Sequence, residues 1–243
     1  MRGPTDKAAP CIAAAILAGG RASRFGGLPK GLLRLTRGLP IIERTIDVVT
    51  AAGIEDLAIF ANDPAPYQAL GLQIVPDRRP GCGPLAAIET ALYRYHGRCC
   101  GVLVLPCDLP GITTREVSGL QRAFSESLPP VVVAETEDGF WQPLCAVVRT
   151  DVLSAVARAL DAGRRGVYRL WRELGAFPVR FRDPRPFWNI NTAQDLARWL
   201  QEERRPSRAP LPLPDCEMFP EPPGRRPAGL GLTSEDFDKA EHT

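Results

Sequence analysis

Histidine is nearly missing from the 243-residue chain, with His96 and His242 alone, and the seven cysteines (Cys11, Cys82, Cys99, Cys100, Cys107, Cys145, Cys216) form no CxxC pair. That argues against a zinc site. An odd set of scattered thiols is no disulfide framework either, and points to free cysteines in a reducing, cytoplasmic compartment. Charge of one sign is also lacking: 30 Lys and Arg stand against 28 Asp and Glu, for a net +2. With no basic helix carrying interleaved aromatics, neither nucleic acid nor a membrane surface is an expected partner. The apolar run at residues 12–18 is too short to span a membrane and stops at Gly19-Gly20, so no targeting or membrane segment is evident. Two common phosphate-binding patterns, GxGxxG and GxxxxGK[ST], cannot be written on residues 19–33.

What is present is an ordinary globular composition, 44% apolar and 24% charged, long enough to bury a substantial core. Its most informative stretch is IAAAILAGGRASRFGGLPKGLL, residues 12–33. It reads as a buried strand emptying into a loop of small and basic residues. Glycines without Cβ atoms let backbone N–H groups turn toward a polyphosphate, and Arg21, Arg24 and Lys30 supply positive charge. A triphosphate suits that loop, although Gly-Gly after an apolar run is also an ordinary turn.

Strands and helices then alternate. Pro40 opens a helix with Ile42, Ile46 and Val49 on one face, ended by Gly53; residues 57–61 form a second strand closed by Asn62-Asp63-Pro64; a short helix surrounds Tyr67; and residues 73–76 make a brief third strand. Pro84 starts a helix with Leu85, Ile88, Leu92 and Tyr95 at helical spacing, and residues 101–106 (GVLVLP) are the most strand-like run. Further elements are predicted as a helix from Thr113-Thr114, strands at 131–134 and 141–148, a helix at 151–160, a strand at 177–181 and a helix from Thr192 through Leu200, with Thr192 and Asp195 as a capping box. Continuous apolar strands between helices predict an α/β fold with a doubly wound, mostly parallel sheet and helices on both faces. We expect a short extension at 1–10, one domain at 11–203 and a Pro-rich flexible tail at 204–243, which holds eight of the 25 prolines.

Asp108 ends the most buried strand, where open α/β sheets bind ligands, and there it either holds a magnesium ion bridging triphosphate oxygens or caps the Leu109-Pro110-Gly111 turn. Asp77 should face the same mouth. Asn62 lies in a turn, and Asn189 and Asn191 alternate onto one face of an extended stretch, offering amides to a polar ligand. Trp141 and Trp188 are aromatic enough to stack on a ring but are more often core residues.

LAGGRASRFGGLPK, PDRRPGCGPLAAI, CDLP, QPL and NINT followed by Asp195-Leu196, in that order over residues 12–200, resemble the MobA-like nucleotidyltransferases, and in particular the molybdenum cofactor guanylyltransferases. The resemblance implies a Rossmann-like nucleotidyltransferase fold and an enzyme that transfers GMP from Mg-GTP to the phosphate of molybdenum-bound molybdopterin, releasing pyrophosphate. It implies Lys30 and Asp108 as catalytic residues, Asp108 as the Mg²⁺ ligand, Leu17, Ala18, Gly19, Gly20, Arg24, Lys30, Asn62, Asp77 and Asp108 around the nucleotide, and Asn189 and Asn191 on the acceptor side. GTP and molybdopterin are the implied substrates, with transient contact to molybdoenzymes or other cofactor-biosynthesis proteins. Gly27-Leu28-Pro29-Lys30 departs from the usual GxDK and is more like isoprenoid and sugar-phosphate nucleotidyltransferases, which keeps CTP and other acceptors open. A non-catalytic nucleotide-binding or cofactor-delivery module is the alternative of another class.

Overall fold

The computed structural model describes residues 10–19, 28–35 and 38–204. Seven strands form one sheet in the order β3-β2-β1-β4-β6-β5-β7. These are β1 (Ile12–Leu17), β2 (Leu57–Phe60), β3 (Ile74–Val75), β4 (Gly101–Pro106), β5 (Val131–Thr136), β6 (Trp141–Arg149) and β7 (Phe177–Phe181). All neighbours are parallel except β6, which runs antiparallel to both β4 and β5. Among the described residues the α-helices are α1 (Ile41–Ala51), α2 (Pro84–Tyr95), α3 (Thr114–Ser127), α4 (Leu153–Asp161), α5 (Val167–Glu173) and α6 (Ala193–Arg204).

Strand period two divides the central strands between two cores. Ala13, Ala15, Val102 and Val104 face α2, where Leu85, Ile88, Leu92 and Tyr95 line up as their spacing requires, together with Val156 of α4 and Trp171 of α5. Ala14, Leu103 and Leu105 face the other way, onto Val49 of α1 and Val117, Leu120 and Phe124 of α3. Full burial of each large apolar side chain is worth about 1.5–3 kcal/mol. Gly101 permits the second packing: a Cβ there would lie 2.8 Å from the Phe124 ring. Helices thus cover both faces, as the sequence predicts.

The differences from expectation are local. The segment around Tyr67 is a 3₁₀ turn (Ala65–Leu70), β3 keeps two residues, and the helix expected from 151 begins as a 3₁₀ turn (Thr150–Val152) before α4. Helix α5 was not expected. Its seven residues offer only Val167, Leu170 and Trp171 as a buried stripe, too short for periodicity to declare itself. Thr113 caps α3 in a full capping box with Glu116. Six cysteines, Cys11, Cys82, Cys99, Cys100, Cys107 and Cys145, are free, and Cys216 lies outside the described residues. Among the described residues no helix is long and apolar enough to cross a membrane.

Two features of the sheet set up the site. The chain builds β2 and β3 on one side of β1 and then crosses to place β4 on the other, so β1 and β4 flank a topological switch point, with Leu17 and Pro106 in register at its mouth. On the far side of β4 the ladder with β6 ends at Val104 opposite Ala146, although both strands continue toward that mouth. The register of β6 on β5 also jumps there, from Val133 opposite Ala146 to Ala134 opposite Gln142, so residues 143–145 bulge. Bulges of this kind bend a strand and re-aim its side chains beside a site.

Candidate active site

Open α/β sheets bind ligands outside the carboxyl ends of their strands at the switch point, because loops diverge there and leave a crevice. In this chain Lys30, Asp108 and Asn191 converge on that place from segments 78 and 161 residues apart. Lys30 begins a 3₁₀ turn (Lys30–Leu32) that packs directly on the end of β4. Gly31 makes this approach possible, since a Cβ there would lie 3.1 Å from the Cys107 Cβ and Sγ. The Lys30 Nζ donates to Asn191 Oδ1 at 2.5 Å and lies 3.4 Å from Asp108 Oδ2. The Ile190 N–H donates to the Asp108 carbonyl at 3.0 Å, tying the third segment to the second.

Asp108 is held between opposing electrostatic effects. Its side chain is 15% exposed, and burial raises the carboxyl pKa above the ordinary value while the Lys30 charge and hydrogen bond act in the opposite direction. Oδ2 faces Lys30, but Oδ1 is buried with no hydrogen-bond partner among the described residues. An orphaned carboxylate oxygen of this sort is costly and suits a hard cation that takes oxygen ligands. No group of three or more His, Cys, Asp or Glu among the described residues could hold a metal by itself. The donor set therefore fits an ion held by one carboxylate and completed by phosphate oxygens and water, the usual habit of magnesium.

The other expected residues surround the same edge. Asn62 and Asp77 follow β2 and β3 and bond reciprocally: Asn62 Nδ2 donates to Asp77 Oδ2 at 2.7 Å, and the Asp77 N–H donates to Asn62 Oδ1 at 2.9 Å. Burial raises the Asp77 carboxyl pKa, against the lowering effect of the Asn62 bond. The Leu17 carbonyl accepts from the Cys107 N–H at 3.0 Å, which seals the β1–β4 seam just below the mouth. Beyond it Gly19 has open space where a Cβ would stand. Gly20 and Arg24 lie outside the described residues.

The structure brings Asn191, and not Asn189, onto Lys30: Asn189 is half-buried and makes no hydrogen bond among the described residues. Trp141 is engaged with the protein, its indole N–H donating to Glu135 at 2.9 Å while Arg172 lies over its ring. Trp188 packs edge-on against Trp199. Sequence reasoning missed Tyr67, whose buried hydroxyl donates to the Ala18 carbonyl at 3.2 Å and so holds the start of the glycine loop. A lone tyrosine in a short turn carried no signal for this, because its partner lies 49 residues away.

A seven-stranded, mostly parallel sheet with these groups at its switch point has the architecture of Rossmann-like nucleotidyltransferases. Residues 14–177 match the MobA-like NTP transferase domain, and the chain belongs to that family and is a nucleotidyltransferase. It is similar to a molybdenum cofactor guanylyltransferase of Burkholderia vietnamiensis, 34% identical over 198 residues that cover 77% of this chain and 95% of that one. Among solved structures, the molybdopterin-guanine dinucleotide biosynthesis protein A of Archaeoglobus fulgidus superposes with a TM-score of 0.65 at 20% identity, covering 78% of this chain and 97% of that one. The Rv0371C protein of Mycobacterium tuberculosis, solved in complex with manganese, superposes with a TM-score of 0.60 at 20% identity, over 78% and 98% of the two chains.

Proposed function

We propose that this nucleotidyltransferase transfers GMP from Mg-GTP to the terminal phosphate of molybdenum-bound molybdopterin, giving the guanine dinucleotide form and pyrophosphate. The observation that carries the reading is the convergence of Lys30, Asp108 and Asn191 at the switch point, with one Asp108 oxygen left unpartnered. The choice of guanine and of molybdopterin rests on the similarity to guanylyltransferases over nearly their whole length.

Nucleotidyl transfer asks the protein mainly to align two phosphates and to offset the charge that builds on them. Leu17, Ala18, Gly19, Gly20, Arg24, Asn62 and Asp77 hold the nucleotide across the β1 and β2–β3 loops. Asn189 and Asn191 meet the acceptor from the other side of Lys30. An acceptor phosphate oxygen forms a bond to the α-phosphorus as the bond to the β-phosphate's bridging oxygen breaks, and that electron pair leaves with pyrophosphate. Lys30, shared between Asp108 and Asn191, lies between the nucleotide and acceptor sides and steadies the α-phosphate with its charge. Asp108 would hold the magnesium ion, which, when bound, supplies further charge neutralisation on the triphosphate. The six free thiols support a cytoplasmic setting. Residues 11–203 are the proposed catalytic domain, and onward delivery to molybdoenzymes involves transient contact only.

The test is pyrophosphate release by the purified protein with Mg²⁺, offering GTP, CTP, ATP and UTP in turn, each with and without molybdenum-loaded molybdopterin. Release with GTP that requires the pterin and is lost on chelation by EDTA is the expected result. Release with CTP alone would transfer the mechanism to a cytidylyltransferase, the reading that Pro29 before Lys30 favours. No release in any combination, with nucleotide binding intact in Lys30→Ala and Asp108→Ala, would favour a binding module.

A further inference from the structure

Asp195, at the start of α6, makes more hydrogen bonds than its helix requires. Its N–H donates to Thr192 Oγ1 at 3.1 Å and its Oδ2 accepts from the Thr192 N–H at 2.8 Å, which together make an ordinary capping box. The same Oδ2 also accepts from the Asn191 N–H at 3.0 Å, one residue before the cap and outside the helix. On the other side of Asn191, the fully buried Ile190 packs with Leu33, Leu35 and Ile41 and donates its N–H to the Asp108 carbonyl. The Asn191 backbone is therefore clamped at both ends, by the core through Ile190 and by a carboxylate through Asp195. Its side chain is delivered onto the Lys30 ammonium as a result.

We infer that Asp195 is a positioning residue for the transfer reaction: through the Asn191 N–H it fixes the amide that aims Lys30 between the nucleotide and the acceptor. This rests on the proposed roles of Lys30 and Asn191. The capping function alone does not explain the bond to Asn191, because the helix's orphan donors begin after Thr192. With that bond removed, the Asn191 backbone is free to turn and the lysine loses its nearer partner. A misplacement of about 1 Å at such a group costs on the order of a hundredfold in rate.

The test compares Asp195→Ala, which removes both side-chain bonds, with Thr192→Ala, which breaks the other half of the capping box and leaves the Asn191 clamp in place. Asp195→Ala is expected to lower kcat by roughly 10- to 100-fold with KM for GTP unchanged, and Asp195→Glu to recover most of the loss. Thr192→Ala is expected to keep kcat within about twofold despite a comparable loss of thermal stability, since it too breaks the cap of α6. In an Asn191→Ala background, Asp195→Ala should add less than about twofold, because the two act in one chain. Equal kcat in Asp195→Ala and Thr192→Ala, or losses that multiply in the double variant, would overturn the inference. If the wild-type protein releases no pyrophosphate, the reaction is wrong and the clamp is still tested: acetic anhydride should acetylate Lys30 severalfold faster in Asp195→Ala than in Thr192→Ala, and equal rates would reject it.

Discussion

At the scale of single residues, burial sets the Asp108 carboxylate against stability. Burial raises its folded pKa above the ordinary carboxylate value, so the folded chain holds this proton to higher pH than the unfolded one. Its contribution favours folding at low pH and is lost as pH rises through the raised value, leaving a net cost at neutral pH. Asp108→Asn is therefore expected to raise Tm in the metal-free, nucleotide-free protein at pH 7, by a few degrees at about 2–4 °C per kcal/mol, while turnover disappears. The same substitution should make less difference to Tm at pH 4 than at pH 7, which scanning calorimetry at the two pH values would show. Lys30, Asp108 and Asn191 were legible in the sequence because each sits in a short local pattern at the end of a strand or loop. Tyr67 and Gly31 were not, since each acts through a partner that only the fold brings near: the Ala18 carbonyl for one and the Cys107 side chain for the other.

At the scale of elements, the loop after β4 is held in a tight seat. A Cβ on Gly111 would lie 2.5 Å from the Arg185 carbonyl oxygen, 2.8 Å from the Trp199 ring and 3.0 Å from the Pro186 Cα. Two of these contacts are backbone and do not yield by a rotamer change. Gly111→Ala is expected to destabilise the fold by about 1–3 kcal/mol, read as a lower urea midpoint with unchanged slope. It should also impair turnover, because the displaced 185–191 segment carries Asn191; an unchanged midpoint would refute the seat. The amphipathic helices and apolar strands around this loop were readable from their periods. The direction of β6 and its bulge at 143–145 were not, since an apolar run looks the same in either direction and the bulge arises only from pairing with β5. Helix α5 escaped for want of length.

At the scale of the whole molecule, about three quarters of this chain covers nearly all of its B. vietnamiensis relative. Both cores and every convergent site residue described lie within 10–204. Deletion of 205–243 is accordingly expected to leave Tm within about 1 °C and pyrophosphate release within about twofold, because a sequence rich in proline and poor in apolar period offers little apolar surface to bury. A large loss of either would give the tail a part in the fold or the site. The doubly wound class was legible because it follows from alternating strands and helices, whereas the split between β4 and β6 beside Asp108 depends on where a ladder stops. In the proposed reaction GMP itself moves from GTP to a molybdopterin phosphate across Lys30 and Asp108. The most direct measurement incubates GTP labelled at its α-phosphate with Mg²⁺ and molybdenum-loaded molybdopterin and follows the label. Its appearance in the pterin, equimolar with pyrophosphate and absent in Lys30→Ala and Asp108→Ala, is the expected result; label left in GTP or GMP alone, or transfer undiminished in both variants, would contradict the account.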